Sequence, residues 1–83
     1  MIPRIKYVQP MDNFILYVHF DDEQKVMYDL KYDIQQISDF KVLLTEEKLF
    51  ENVQLDTSRT CVYWNDRIDL PSDILMEYGT PVK

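Results

Sequence analysis

His19 is the only histidine in the chain, and histidine is the side chain best suited to moving protons near neutral pH. A general base of that kind needs an orienting partner and a nucleophile within reach. The chain has no second histidine, and no serine or cysteine stands beside His19 in sequence. His19 therefore reads as a polar tip on a strand face. Two acidic groups, Asp21-Asp22-Glu23 and Asp66 with Asp69, raise the question of calcium or magnesium. Calcium loops space several oxygen ligands around a glycine at the sharp bend. Neither group does so, and both read as solvated turns. Phosphate-cradling loops, nucleophile elbows and dinucleotide fingerprints all require glycines. The single glycine is Gly79, close to the C-terminus. Cys61 is also alone, so no internal disulfide and no multi-thiolate metal site can form. Its expected role is that of a small buried hydrophobe in a strand. The expectation is a non-enzyme with no catalytic residue, no metal and no cofactor.

Trp64 carries two readings. It could line a ligand pocket, with Tyr63 and Asp69 supplying polar contacts. A lone tryptophan at the end of a strand more often anchors a core, its N–H bonded to a nearby carbonyl.

The elements that would position these residues follow from periodicity. Arg4 to Gln9 reads as a strand with Ile5 and Tyr7 on one face, ended by Pro10 and followed by a turn at Met11-Asp12-Asn13. Phe14, Leu16, Val18 and Phe20 alternate with Ile15, Tyr17 and His19, the first set being the stronger core face. After the polar turn Asp21-Asp22-Glu23-Gln24, Val26, Tyr28 and Leu30 alternate with Lys25, Met27 and Asp29. Three strands joined by short turns make an antiparallel meander. With one glycine available, those turns must rely on Asp and Asn or be long enough to avoid strained dihedrals.

The period then changes. Ile34, Ile37, Phe40, Leu43 and Leu44 recur at spacings of three and four, which predicts short helical turns. Thr45 is placed to cap a further turn carrying Glu46 and Glu47, with Leu49, Phe50 and Val53 inward and Asn52 as its stop. A β-hairpin follows from Val53 and Leu55, the loop Thr57-Ser58-Arg59, and the strand Cys61-Val62-Tyr63-Trp64. The chain closes on a helix: Asp69 as its N-cap, Pro71 in the first turn, Ile74, Leu75 and Tyr78 on one face, Gly79 past the end. The fold class is α+β, an antiparallel sheet of about five strands with a C-terminal helix. Eighty-three residues make a single domain, 1–83. Hydrophobic residues make up 46% of the chain, enough for a core and far from a disordered composition.

Fifteen acidic residues stand against nine basic ones, a net charge of −6. Phosphate neutralisation supplies most nucleic-acid affinity, and the only local basic excess is Arg4 with Lys6. The balance argues against direct DNA or RNA binding and against anionic membranes. Met1-Ile2-Pro3-Arg4 opens no signal peptide, and no apolar run approaches the ~20 residues of a membrane span. The expected compartment is the cytoplasm.

Several segments together resemble the bacterial domain-of-unknown-function 2442 family. They are Pro3-Arg4-Ile5, Val8-Gln9-Pro10-Met11-Asp12-Asn13-Phe14 and the alternating Leu16-Tyr17-Val18-His19-Phe20. Asp29, Phe40, Leu43, Leu49-Phe50 and Val53 fit the family's middle, and Trp64, Asp69-Leu70-Pro71 and Leu75 its closing motif. The resemblance spans Met1 to about Tyr78. The family often carries glycine near Asp22 and near Arg67, and an aromatic residue where Met76 stands; these departures bear on turn geometry. The resemblance implies a small α+β domain, sometimes fused to a helix-turn-helix and sometimes encoded beside a second small protein in a toxin–antitoxin-like arrangement. It brings no settled activity. The chain ends at Lys83, so no DNA-binding appendage is expected.

Two functions follow as expectations. The first is a non-catalytic protein-interaction or regulatory module, an antitoxin-like member of a two-protein system, meeting a basic partner or a second copy of itself. The alternative is a small-ligand sensor with a pocket near Trp64. Candidate interaction or pocket residues are Ile15, Tyr17, Tyr63, Trp64 and Asp69. Ile15 and Tyr17 face away from the main core and need a helix or a partner to cover them.

Overall fold

Alternating apolar and polar residues build the first sheet in the computed structural model, which describes residues 2–46 and 48–82. Strands β1 (Ile5–Met11), β2 (Ile15–Phe20) and β3 (Lys25–Asp29) form the expected antiparallel meander. Leu16 lies opposite Tyr28 and Val18 opposite Val26, so one face of the sheet is a continuous apolar layer, and all four are buried. Strand β1 departs from the simple alternation. Its pairing shifts between Ile5 and Tyr7, so Ile5 is fully buried while Tyr7 turns to the opposite face and is exposed. An irregularity of this kind resets the period-2 rule. Nor does Pro10 end the strand. It pairs with Leu16 inside β1, at the edge of the sheet, where a missing N–H costs no ladder bond.

The turns find their left-handed residues without glycine. Asn13 (φ 63°) is the residue type that tolerates this region, but Phe14 (φ 60°), Glu23 (φ 73°) and Arg59 (φ 60°) occupy it too. Glu23 sits in the β2–β3 turn, where Asp22 accepts from the backbone N–H of Gln24 at 3.0 Å.

Residues 31–46 and 48–52 hold short helical turns: α1 (Lys31–Gln36), a 3-10 turn (Ser38–Lys41), α2 (Val42–Thr45) and a second 3-10 turn (Phe50–Asn52). Ile34, Phe40, Leu43 and Phe50 are buried, whereas Ile37 and Leu44 are exposed. The backbone is extended at Ile37 (φ −115°, ψ 113°), which breaks the helical phase and turns that side chain outward. Thr45 closes α2 instead of opening the next turn, its hydroxyl donating to the Val42 carbonyl at 3.2 Å. Glu47, expected in the turn Thr45 would cap, lies outside the described residues, as do Met1 and Lys83.

The second half holds more strand than expected. Strands β4 (Gln54–Leu55), β5 (Cys61–Asn65) and β6 (Ile68–Pro71) make a separate three-stranded sheet, ordered β4-β5-β6. A last short strand, β7 (Thr80–Pro81), joins β3, so the first sheet runs β1-β2-β3-β7. The architecture is α+β with antiparallel strands and a C-terminal helix, as expected, with seven strands in two sheets among the described residues where about five in one were anticipated. Asp69 lies inside β6 opposite Tyr63 and caps nothing. Ile68 and Leu70 are buried on either side of it, and that alternation claims the segment for the sheet. Helix α3 (Ser72–Tyr78) starts after Pro71, with no side-chain cap. The Ser72 N–H donates instead to the Thr60 carbonyl at 2.8 Å, and the buried Ser72 hydroxyl donates to the Pro3 carbonyl at 2.6 Å. Leu75 is buried and Ile74 half-buried, while Tyr78 is exposed. Side chains of both sheets and all the helical turns meet in one apolar cluster.

Candidate functional site

Two surfaces stand out among the described residues. The first is the outward face of the four-stranded sheet. Register places Tyr7 across from His19, Gln9 across from Tyr17 and Met11 across from Ile15. On the other side of β2, Ile15 faces Asp29, Tyr17 faces Met27 and His19 faces Lys25. Ile15, Tyr17, His19 and Met27 are half-buried, and Tyr7 (43%) and Met11 (40%) are open to solvent. The rings form a chain: Tyr7 lies 6.0 Å from Tyr17 and meets His19 edge-on at 5.2 Å. Desolvation, then Tyr17, pushes the Tyr7 phenol above its usual range.

His19 does have a carboxylate neighbour, which the sequence did not reveal: Nε2 stands 3.3 Å from Glu23 Oε2. Lys6 binds the other oxygen of the same carboxylate. Lys6 and then His19 hold the Glu23 carboxyl below the ordinary range. This is a small ion cluster at the rim of an aromatic face.

The second surface is a cleft of about 450 Å³ lined by Tyr28, Asp29, Tyr32, Asp33, Ile74 and Tyr78. The Tyr28 hydroxyl donates to Asp33 Oδ2 at 2.6 Å, a buried contact. Burial first, and then this carboxylate, pushes the Tyr28 phenol far above its usual range. None of the cleft residues was a sequence candidate. Tyr28-Asp29 and Tyr32-Asp33 repeat at a spacing of four, but only the docking of α3 brings Ile74 and Tyr78 to them. Two other hollows lie at the N-terminal segment (Pro3, Arg4, Phe20, Asp22, Thr60) and at the β1–β2 turn (Met11, Asn13, Phe14, Phe50).

The five sequence candidates are dispersed by the fold. Ile15 and Tyr17 occupy the open face of the first sheet. Tyr63 and Asp69 stand opposite each other and exposed on the second sheet. Trp64 points inward at 6% exposure, stacked on Phe50 (6.1 Å, 18°) and edge-on to Phe40. Its Nε1–H donates to the Phe50 carbonyl at 3.0 Å, and it lines none of the three hollows described. Cys61 is half-buried in β5, and desolvation pushes its thiol up, away from the reactive thiolate. Among the described residues, no three His, Cys, Asp or Glu groups gather closely enough to hold a metal ion.

The sequence pattern of a family described as "Protein of unknown function (DUF2442)" matches residues 5–81. The chain belongs to that family. The DUF2442 match takes in all seven strands and α3, so the two sheets and the cleft are features of the family-matched region of this chain. No curated protein and no solved structure matches the chain. Among the described residues no helix is long and apolar enough to cross a membrane.

Proposed function

We propose that this DUF2442 chain is a non-catalytic interaction module whose four-stranded sheet docks a basic protein partner. The observation that carries the reading is the uncovered sheet face on which Tyr7, Met11, Ile15, Tyr17 and Met27 lie side by side. Interface centres are enriched in tyrosine, methionine and other large side chains, ringed by polar groups. Here Gln9, Lys25, Asp29 and the Lys6–Glu23–His19 cluster form the rim. The net charge of −6 favours a basic occupant and repels a second copy of the chain. An antitoxin-like role, in which the partner is a small basic protein made alongside this one, is the finer form of the proposal.

The test compares the wild-type chain with Tyr17→Glu, a change on the solvent side that leaves the core untouched. Both are immobilised and exposed to host lysate at low salt. Each protein retained is then purified and its affinity measured at low and high salt. The reading requires a basic protein that binds wild type, weakens with salt, and loses at least about tenfold in affinity, ~1.4 kcal/mol, against Tyr17→Glu. A binder indifferent to Tyr17→Glu, or no basic binder at all, overturns it. A dimer in light scattering that Tyr17→Glu dissociates would assign the face to self-association.

A further inference from the structure

Independently of the sheet face, we infer that the cleft where β3, α1 and α3 meet binds a primary alkylammonium group, held between the Asp33 carboxylate and the rings of Tyr32 and Tyr78. Asp33 is only 9% exposed, yet among the described residues no lysine, arginine or histidine lies within ion-pair distance of it. Among the described residues its one side-chain hydrogen bond comes from the neutral Tyr28 hydroxyl, on Oδ2. A carboxylate taken this far out of water is costly unless a cation or further donors compensate it. The surface it retains opens into the cleft, where a ligand would supply the missing charge.

The walls fit the same ligand. Tyr32 and Tyr78 stand on different helices, both about 70% exposed (70% and 69%), and both line this one cleft. Large aromatic rings left in water gain little there, whereas their faces attract an ammonium ion, most strongly once it is desolvated. Ile74 offers an apolar surface for an alkyl stem. Asp29 adds negative charge at the rim, although its Oδ1 already accepts from the Lys31 backbone N–H at 2.9 Å and lies 3.2 Å from Lys31 Nζ. Lys31 does not line the cleft, and its Nζ also donates to the Asn13 carbonyl at 2.9 Å.

The hydrogen bonding selects ammonium over guanidinium. A guanidinium fork is best met by both oxygens of a carboxylate. Asp33 Oδ2 is engaged by Tyr28, whose phenol stays protonated because burial and Asp33 push its titration upward. One free oxygen suits the compact, rotatable donors of an ammonium. The same chemistry could arrive as a free amine or as a lysine side chain.

The test uses four probes on the full chain, followed by isothermal calorimetry and by amide shifts in NMR. The probes are n-butylammonium, Nα-acetyl-lysine methylamide, Nα-acetyl-arginine methylamide and neutral n-butanol, each raised to the order of 10 mM. Both ammonium probes should bind, moving the amides of residues 28–33 and 74–78. The arginine probe and butanol should bind at least about tenfold more weakly. Asp33→Asn should weaken ammonium binding by at least about tenfold, and Tyr32→Ala and Tyr78→Ala, at exposed positions that leave the core intact, should each weaken it severalfold. Tighter binding of the lysine probe identifies a peptide lysine as the source, and tighter binding of butylammonium a free amine. Absence of ammonium binding overturns the inference, as does butanol binding equally well. So does unchanged affinity in the Tyr32→Ala, Tyr78→Ala pair, a result that stands even if Asp33→Asn fails to fold.

Discussion

At the scale of single residues, two buried polar groups among the described residues each close a particular gap. Ser72 is fully buried, and its hydroxyl is the donor to the Pro3 carbonyl, tying α3 to the N-terminal segment. Ser72→Ala removes the donor and leaves that carbonyl without it, which should cost ~1–3 kcal/mol in urea unfolding. A loss under about 0.5 kcal/mol would mean that water replaces the hydroxyl without penalty. Trp64 plays the matching part in the second half. Its indole N–H holds the Phe50 carbonyl while its ring packs between Phe40 and Phe50. Trp64→Phe keeps much of the packing but strips the donor, and a cost of ~1–3 kcal/mol is expected there as well. As the only tryptophan, Trp64 should emit at short wavelength in the native state and shift to the red on unfolding. Native emission already typical of water-exposed indole would contradict its burial.

At the scale of elements, the meander was legible because alternation is a local signal: Leu16, Val18 and Phe20 face Val26 and Tyr28 without any knowledge of distant residues. What was not legible depended on long-range pairing. The Ile68-Asp69-Leu70-Pro71 segment has the alternation of a strand, but its proline and its position before a helix suggested a cap. Only β5 alongside decides for the sheet. Tyr7 was misplaced because the shifted pairing in β1 cannot be seen in β1 alone. The cleft was invisible for the same reason, since Tyr32 and Tyr78 are far apart in sequence. Gly79 was legible in position and not in cause. Its φ of −73° is open to any residue. Glycine is needed because an added Cβ would stand 2.5 Å from the Leu75 carbonyl oxygen and 2.9 Å from the Val26 side chain. Gly79→Ala should therefore destabilise by ~1–3 kcal/mol, the usual cost of overpacking. In a double-mutant cycle with Val26→Ala, part of that cost should vanish, because the Val26 Cγ2 contact at 2.9 Å is gone, although the Cβ contact at the same distance stays. Strict additivity would place the strain at the Leu75 carbonyl and the Val26 Cβ, not at Cγ2.

At the scale of the whole molecule, the two sheets are joined by a handful of polar links, and charge state governs how stability responds to pH. Arg59 is the central link: its guanidinium grips Asp21 with two bonds of 2.7 and 2.8 Å, and its carbonyl accepts from the Ile5 N–H at 2.7 Å. On the acid side, two carboxyls titrate below their usual range. Glu23 is held down by the hydrogen bond from Lys6 and then by His19. Asp56 is held down by the Ser58 hydroxyl and the Thr60 and Cys61 backbone N–H groups. A depressed carboxyl contributes stability that is present above its unfolded value, near ~4, and lost as pH falls through the folded value. Glu23 is exposed and Asp56 only half-buried, so solvent screens both and this acid arm should be shallow. The alkaline side differs because Tyr28 is raised, by burial and then by Asp33. Below about pH 10 its phenol is neutral whether the chain is folded or not. Above that, the unfolded chain releases the proton while the folded chain retains it, so stability falls steadily with further alkali. Lys6, raised by its bond to Glu23, adds a smaller loss in the same direction, as do Tyr7 and Cys61, both raised first by desolvation. The denaturation midpoint should thus be nearly flat between about pH 5 and pH 8, with the steeper decline on the alkaline side. Tyr28→Phe removes the titrating group and should flatten the alkaline arm, even though losing the bond to Asp33 lowers stability at neutral pH. An alkaline decline of unchanged slope in Tyr28→Phe would show that the buried Tyr28–Asp33 pair does not govern the response.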